Sequence, residues 1–225
     1  MHVIVWSDDA GGAALVGAAA RLHPDGVAAT LGTLVQQQLP AASVTVAGLH
    51  EPEDGLPDGL LARADVLVWW GHEAHEQVSD LTADRVERRV RDGLGLVALH
   101  SAHYSKVFRR LMGTSCDLQW RENGEDREVI WTVDPAHPIA TGVPQPIDLG
   151  GHETYGEPFE IPAPDQLVFI SWFTGGEVFR SGCCFVRGSG RIFYFAPGHE
   201  TYPVYEHPHI RLVIGNAVSW AGRAR

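Results

Sequence analysis

A chain of 225 residues with 44% hydrophobic and 20% charged content is long enough to build one large domain on a continuous core. Lys plus Arg number 17 against 28 Asp plus Glu, a formal net charge of -11, and no basic cluster interrupts the sequence. That balance excludes a nucleic-acid partner, which needs a basic stripe to release counterions from the phosphate backbone.

The opening MHVIVWSDDAGG has no basic leader, long apolar region or small-residue cleavage site, and no later stretch approaches the roughly 20 apolar residues that span a bilayer. A cytoplasmic protein is expected. The three cysteines, Cys116 and the adjacent Cys183 and Cys184, lack any CxxC spacing and read as reduced, buried hydrophobes. Histidine stands out at twelve residues, several beside Gly, Glu or another His.

In chain order, HVIVW at 2–6 reads as a strand, DGVAATLGTLVQQQL at 25–39 as a helix stopped by Pro40, and SVTVAGL at 43–49 as a second strand. The acidic EPEDGLPDG at 51–59 reads as a surface loop running into a short helix, PDGLLARA, at 57–64. DVLVWWG at 65–71 is continuously apolar, as suits a strand buried on both faces of a parallel sheet. In it one of Trp69 and Trp70 is expected in the core and the other near a cleft.

TADRVERRVRDG at 82–93 predicts a helix capped by Thr82 and closed by Gly93, with its arginines on a solvated face. GLVAL at 95–99 is the fourth strand, followed by a helix to about Met112. The alternation implies an α/β, doubly wound, mostly parallel sheet. Beyond about residue 117, prolines punctuate shorter segments such as REVIWTV and QLVFISWF, which read as antiparallel additions. Trp120, Trp131 and Trp172 are expected in the core. GCCFVRGSGRIFYFAPG at 182–198 reads as a hairpin, and a last helix starts near Pro208. With no repeat or linker, residues 1–225 are taken as one domain; exposed strands in the proline-rich part suggest a homo-oligomer.

Ligands of an open parallel sheet bind beyond the carboxyl ends of its strands. Those ends deliver Asp8 and Asp9; His72, Glu73 and His75; His100, Ser101 and His103; and His199, Glu200 and Tyr202. A further polar knot, GGHETYG, holds His152, Glu153 and Tyr155. Imidazoles with a carboxylate are the usual shell of zinc or another divalent transition metal, although no HExxH-type spacing occurs here. A competing reading makes Ser101 a nucleophile on a strand-to-helix elbow, with His199 and Glu200 as base and orienter. Against it, LHSAH lacks the glycines of G-x-S-x-G, and Ser101 stands where a helix cap is expected.

Four stretches, VLVWWGHEAH at 66–75, GLGLVALHSAHYSKVFRRLMGT at 93–114, FISWFTGGEVFRSG at 169–182 and IFYFAPGHETYP at 192–203, resemble the ThuA-like, or trehalose-utilisation, family. The resemblance runs over nearly the whole chain. It implies a flavodoxin-like fold related to class I glutamine amidotransferases, in which the turn after the fourth strand carries a catalytic cysteine and a late His-x-Glu completes the triad. Here that turn holds His100 and Ser101, and Glu200 follows His199 directly, so the pocket is expected to persist without amidotransferase chemistry. The resemblance further implies breakdown of trehalose and related disaccharides through 3-keto sugars, with a divalent metal.

The expected site is therefore a metal, zinc or alternatively manganese, held by His72, His103, Glu153 and His199, with His100 next in line. His100, Glu200 and Ser101 are the expected catalytic groups, and Tyr155, Asp8 and Trp70 the substrate contacts. His75 and His152 are expected behind the ligands or exposed. The expected activity is acid–base chemistry on a small keto-sugar or keto-glycoside: elimination, hydrolysis or isomerisation. Two alternatives stay open: a non-catalytic sugar-binding or regulatory module, and a Ser101-dependent acyl or amide hydrolase. No GxGxxG turn or P-loop is present.

Overall fold

Strands rich in Val, Ile, Leu and Trp, separated by helices, leave little choice but a sheet covered on both sides. The computed structural model describes residues 1–9, 15–122 and 126–223. Its elements run β1 (His2–Ser7), α1 (Gly17–Leu22), α2 (Val27–Gln38), β2 (Ser43–Gly48), α3 (Asp58–Leu61), β3 (Val66–Trp70), α4 (Asp80–Asp92), β4 (Gly95–Leu99) and α5 (Lys106–Met112). Then follow β5 (Gln119–Arg121), β6 (Arg127–Thr132), β7 (Ile147–Gly151), β8 (Thr154–Gly156), β9 (Gln166–Phe173), β10 (Val178–Arg187), β11 (Gly190–Phe195) and α6 (Pro208–Ala221).

Nine strands form one sheet in the order β2-β1-β3-β4-β11-β10-β9-β6-β7, and β5 pairs with β8 in a separate ribbon. From β2 to β11 every pairing is parallel. From β11 to β7 every pairing is antiparallel. The first five positions reproduce the flavodoxin-like order, with β11 as fifth strand, so the expected fold is the observed one.

Alternate residues of the parallel strands feed two cores. Val3, Val5, Val66, Val68, Trp70, Val97 and Leu99 pack under α2 and α6. Ile4, Trp6, Leu67, Trp69, Leu96 and Ala98 pack under α4 and α5. Both faces are thereby dry, and burying each Val or Leu side chain contributes about 1.5–3 kcal/mol. No helix among the described residues is long and apolar enough to cross a membrane.

Several local expectations are corrected. Ser79, three residues before Thr82, caps α4 by accepting the Thr82 backbone N–H at 3.2 Å, a bond that contributes about 1 kcal/mol; Gly93 closes the helix at φ 127°, as expected. Ser101 is not a helix cap: residues 100–104 form a tight 3-10 turn, and Ser105 caps α5 by accepting from the Phe108 N–H at 3.1 Å. The acidic loop winds into a 3-10 turn at Pro52–Gly55, where the Asp54 carbonyl accepts from Trp6 Nε1 and its carboxylate from Ser79. The arginines of α4 are not simply solvated, since Arg85 and Arg89 donate to the carbonyls of Leu56 and Leu61.

Trp69 lies in the core and Trp70, also buried, borders a cavity, the division expected of the pair, whereas Trp120, Trp131 and Trp172, expected in the core, are 66%, 46% and 39% exposed. A short ribbon and the outer strands β6 and β9 offer no second layer to cover them.

Candidate metal and acid–base site

Three parallel strands end side by side, and each delivers a histidine. His72 follows β3, His100 follows β4, and His199 and Glu200 follow β11. One donor atom from each of these four residues lies within 4.8 Å of the others. Ring centroids confirm the convergence: 5.3 Å from His72 to His100, 4.8 Å from His72 to His199, and 5.3 Å from His100 to His199.

The backbone that aims these rings is itself constrained. His100 has φ +55°, a left-handed conformation that costs a non-glycine residue roughly 1–2 kcal/mol. It therefore occupies the strained elbow position after β4, and Ser101 is one residue beyond it. Gly198 has φ +153°; a Cβ there would run into the Tyr205 hydroxyl and lie 3.1 Å from the His100 Cβ. Its carbonyl accepts from Trp70 Nε1 at 3.0 Å and from the Tyr205 hydroxyl at 3.2 Å, fixing the turn that presents His199. Asp8, at the end of β1, accepts the backbone N–H groups of His72 and Ala74 at 2.9 and 3.0 Å on one oxygen.

Hydrogen bonds set the state of each ring. The Ala196 carbonyl, 3.3 Å from His100 Nδ1, can only accept, so Nδ1 carries the proton and Nε2 keeps its lone pair. That Nε2 is buried without a hydrogen-bond partner, as is Oε2 of Glu200. Nδ1 of His72 stands 3.0 Å from Glu200 Oε1. Thr201 sets its backbone N–H and hydroxyl 3.2 and 2.9 Å from His199 Nδ1.

The electrostatics agree. Burial, reinforced by His199 and His72, holds the pKa of His100 well below its ordinary value, and burial also lowers that of His199. Burial alone would lower His72, but the Glu200 hydrogen bond and charge, with Glu153 and Glu73 nearby, raise it instead. For Glu200 burial would raise the pKa, but the hydrogen bond to His72 together with the charges of His72 and His199 brings it down. His100 and His199, held toward the neutral form, beside an ionised carboxylate paired with His72, and two orphaned donor atoms make a donor set that a divalent transition ion takes on displacing the His72 proton, so the residues fit such an ion.

The cluster borders a cavity of about 390 Å³ lined by His72 and His199 together with Ser101, Glu153, Tyr155 and Trp120 among others. Glu153 places Oε2 3.5 Å from His100 Nε2, and burial pushes its carboxyl up to about 7. Tyr155 stacks on His100 at 5.7 Å, and its hydroxyl sits 2.9 Å from Ser101 Oγ. A second cavity of about 480 Å³, on which Asp8, Trp70, His72 and Glu200 border, meets the cluster as well.

Of the expected ligands, His72 and His199 belong to the cluster and Glu153 adjoins it. His103 lines the same cavity but is not in the cluster: its Nδ1 is held 2.9 Å from the Cys116 carbonyl. His100 and Glu200, expected as catalytic groups, are cluster members. Asp8 spends one carboxylate oxygen on the backbone that carries His72, and Trp70 lies buried with its ring stacked 6.4 Å from His100. His75 is buried, and His152 is buried with Nδ1 2.9 Å from Glu128 Oε2. Sequence reasoning missed Glu122, whose Oε1 is 3.6 Å from His199 Nε2, and Trp120 as cavity residues; the only signal was an aromatic residue among polar neighbours in QWRE.

Comparison with known proteins follows the same lines. The family model described as ThuA, trehalose utilisation, matches residues 13–221. A ThuA-like protein from Parabacteroides merdae superimposes with a TM-score of 0.67 at 14% identity, over 100% of this chain and 90% of that one. A cytoplasmic protein from Salmonella typhimurium LT2 gives 0.68 at 14% identity, over 98% and 99% of the two chains. A GMP synthase protein from Thermoplasma acidophilum gives 0.54 at 11% identity, over 98% and 94%. At such identities these structures establish the shared fold alone. No curated protein sequence matches the chain.

Proposed function

The chain belongs to the ThuA family, whose description assigns it to trehalose utilisation, and from that membership we propose a metal-dependent enzyme acting on 3-keto sugars or keto-glycosides by acid–base chemistry. The observation that carries the proposal is the convergence of His72, His100, His199 and Glu200, donor atoms within 4.8 Å, beside a cavity that also holds Glu153.

In this reading those four side chains hold the ion, zinc in first place and manganese as the alternative. A bound divalent ion supplies Lewis-acid polarisation of a carbonyl oxygen. Everything else falls to the chain. A 3-keto sugar has an acidic proton on C2, and Glu153, buried but lining the cavity, is the base that takes it. Expulsion of the C1 oxygen substituent then forms the C1–C2 double bond, and the protonated Glu153 returns its proton to the departing oxygen. Tyr155 and Ser101, hydrogen-bonded to each other at 2.9 Å, offer hydroxyls to the sugar from one wall. Water added later across the double bond would complete hydrolysis.

Elemental analysis of the purified protein, then chelation and reloading with turnover of 3-keto-trehalose, tests this reading. About one equivalent of metal and activity that is lost on chelation and restored on reloading are expected. Substoichiometric metal, or full activity after chelation, would overturn it.

A further inference from the structure

An exposed tryptophan at a cavity mouth needs a reason, because leaving a large indole in water forgoes the burial that normally stabilises it. Trp120 is 66% exposed and lines the cavity beside the cluster. Trp131 and Trp172, also exposed, line neither of the two cavities that meet the cluster.

Its position is built rather than incidental. In the β5–β8 ribbon Trp120 lies directly opposite Tyr155. Directly opposed residues of an antiparallel pair project to the same face, so the rim indole and the buried phenol share one surface of the ribbon. Arg121 pins the next position through Asp126 at 2.7 Å and Glu177 at 2.8 Å, and Thr154 donates to Asp126 at 3.0 Å. The ribbon thus holds an aromatic plane at the entrance in register with the phenol that reaches Ser101 and His100.

The charge of the walls narrows what this plane receives. Glu73, Asp117, Glu122 and Glu153 line the cavity, and no lysine or arginine is among its described lining residues. The nearby cations are committed elsewhere: Arg109 lies 5.1 Å over the Tyr104 ring and pairs with Glu76 at 2.9 Å, while Arg121 is engaged as above. Held at the Trp120 rim, a phosphate dianion would meet carboxylates with no lysine or arginine among the described lining residues to offset them, the positive charge of His72 and of a bound ion lying at the cluster, whereas a neutral sugar meets hydrogen-bond acceptors and an aromatic face.

We propose that Trp120 is the stacking platform of a sugar subsite at the cavity mouth, and that this subsite takes uncharged, unphosphorylated pyranosides. The proposal rests on the carbohydrate reading above, and the indole contributes by covering the apolar C–H face of one ring while the carboxylates accept from its hydroxyls.

Calorimetric titration of the metal-loaded protein with trehalose and with trehalose 6-phosphate tests it, using wild type, Trp120→Ala and Trp120→Phe. Trehalose should bind wild type, bind W120A roughly tenfold more weakly, and bind W120F within a few-fold of wild type. The 6-phosphate should bind at least tenfold more weakly than trehalose. Because the indole is exposed, W120A should keep its circular dichroism spectrum and metal content, which excludes misfolding as the cause. Trehalose binding undiminished in W120A, or equal binding of the phosphorylated sugar, overturns the subsite while leaving the acid–base reading standing. Failure of wild type to bind trehalose or its 3-keto form overturns both.

Discussion

The parallel half of the sheet and the separate β5–β8 ribbon supply different parts of the same site. The parallel half, β2 to β11, contributes the metal-capable cluster from strand ends, where adjacent parallel strands must finish side by side. The separate β5–β8 ribbon contributes a wall: Trp120 comes from β5, Tyr155 from β8 and Glu153 from the residues just before β8. Ligands placed by a buried sheet are fixed by the fold, whereas wall residues are placed by ribbon pairing and a few ion pairs. In the proposed reading the parallel half sets which ion is bound, and the ribbon what is done to the substrate and which substrate enters.

Exchanging single residues across this divide should break or sharpen it. The largest effect is expected from His199→Ala, which removes a cluster member: bound metal should fall below a tenth of an equivalent, and turnover by roughly a thousandfold or more. His103→Gln, from the same strand-to-helix turn as His100 but outside the cluster, should retain its metal, as elemental analysis would reveal. Next comes Glu153→Gln, on the wall. It should cost about 10²- to 10⁴-fold in turnover while metal content stays near wild type, and a parallel loss of metal would erase the distinction between sheet and ribbon.

Acid should act on the parallel half. Burial lowers the pKa of His75 to about 4 and of His103 to about 3, from 6.5 for the free side chain. Both must stay neutral in the folded protein but take up protons when unfolded below pH 6.5. Their contribution is therefore complete above that pH and is lost as pH falls toward 4 and 3. Denaturant titrations at pH 7 and pH 5 should differ by about 2 kcal/mol for each histidine.

An effect of similar size is expected at Asp8, whose oxygen holds two backbone N–H groups of the loop bearing His72. Asp8→Ala should cost about 1–3 kcal/mol in thermal or chemical unfolding and weaken metal binding about 10- to 100-fold without abolishing it.

This division also explains what could be read from the sequence. Continuous apolar runs and helix-stop signals located β1 to β4, and the rule that sites gather at strand ends led to His72, His100 and His199. His103 misled because spacing along a turn does not reveal direction: a 3-10 turn after His100 carries it to the Cys116 carbonyl instead of the cluster. Capping was misplaced at Thr82 and Ser101 because hydroxyl residues crowd both helix starts, and only geometry selects Ser79 and Ser105. Trp120 was beyond reach, since its place on the cavity wall follows from a pairing with Tyr155, 35 positions away, that no local pattern encodes.

The carboxylates around the mouth also act before anything touches them. A cation approaching within a Debye length, about 8 Å at physiological ionic strength, is drawn in by Glu73, Asp117 and Glu122, backed by the chain's net charge of -11. An uncharged sugar feels no such pull. Raising the salt concentration should therefore slow capture of a divalent ion by the apoprotein while leaving the arrival rate of a neutral sugar unchanged, so that the two association steps separate in time on a stopped-flow trace.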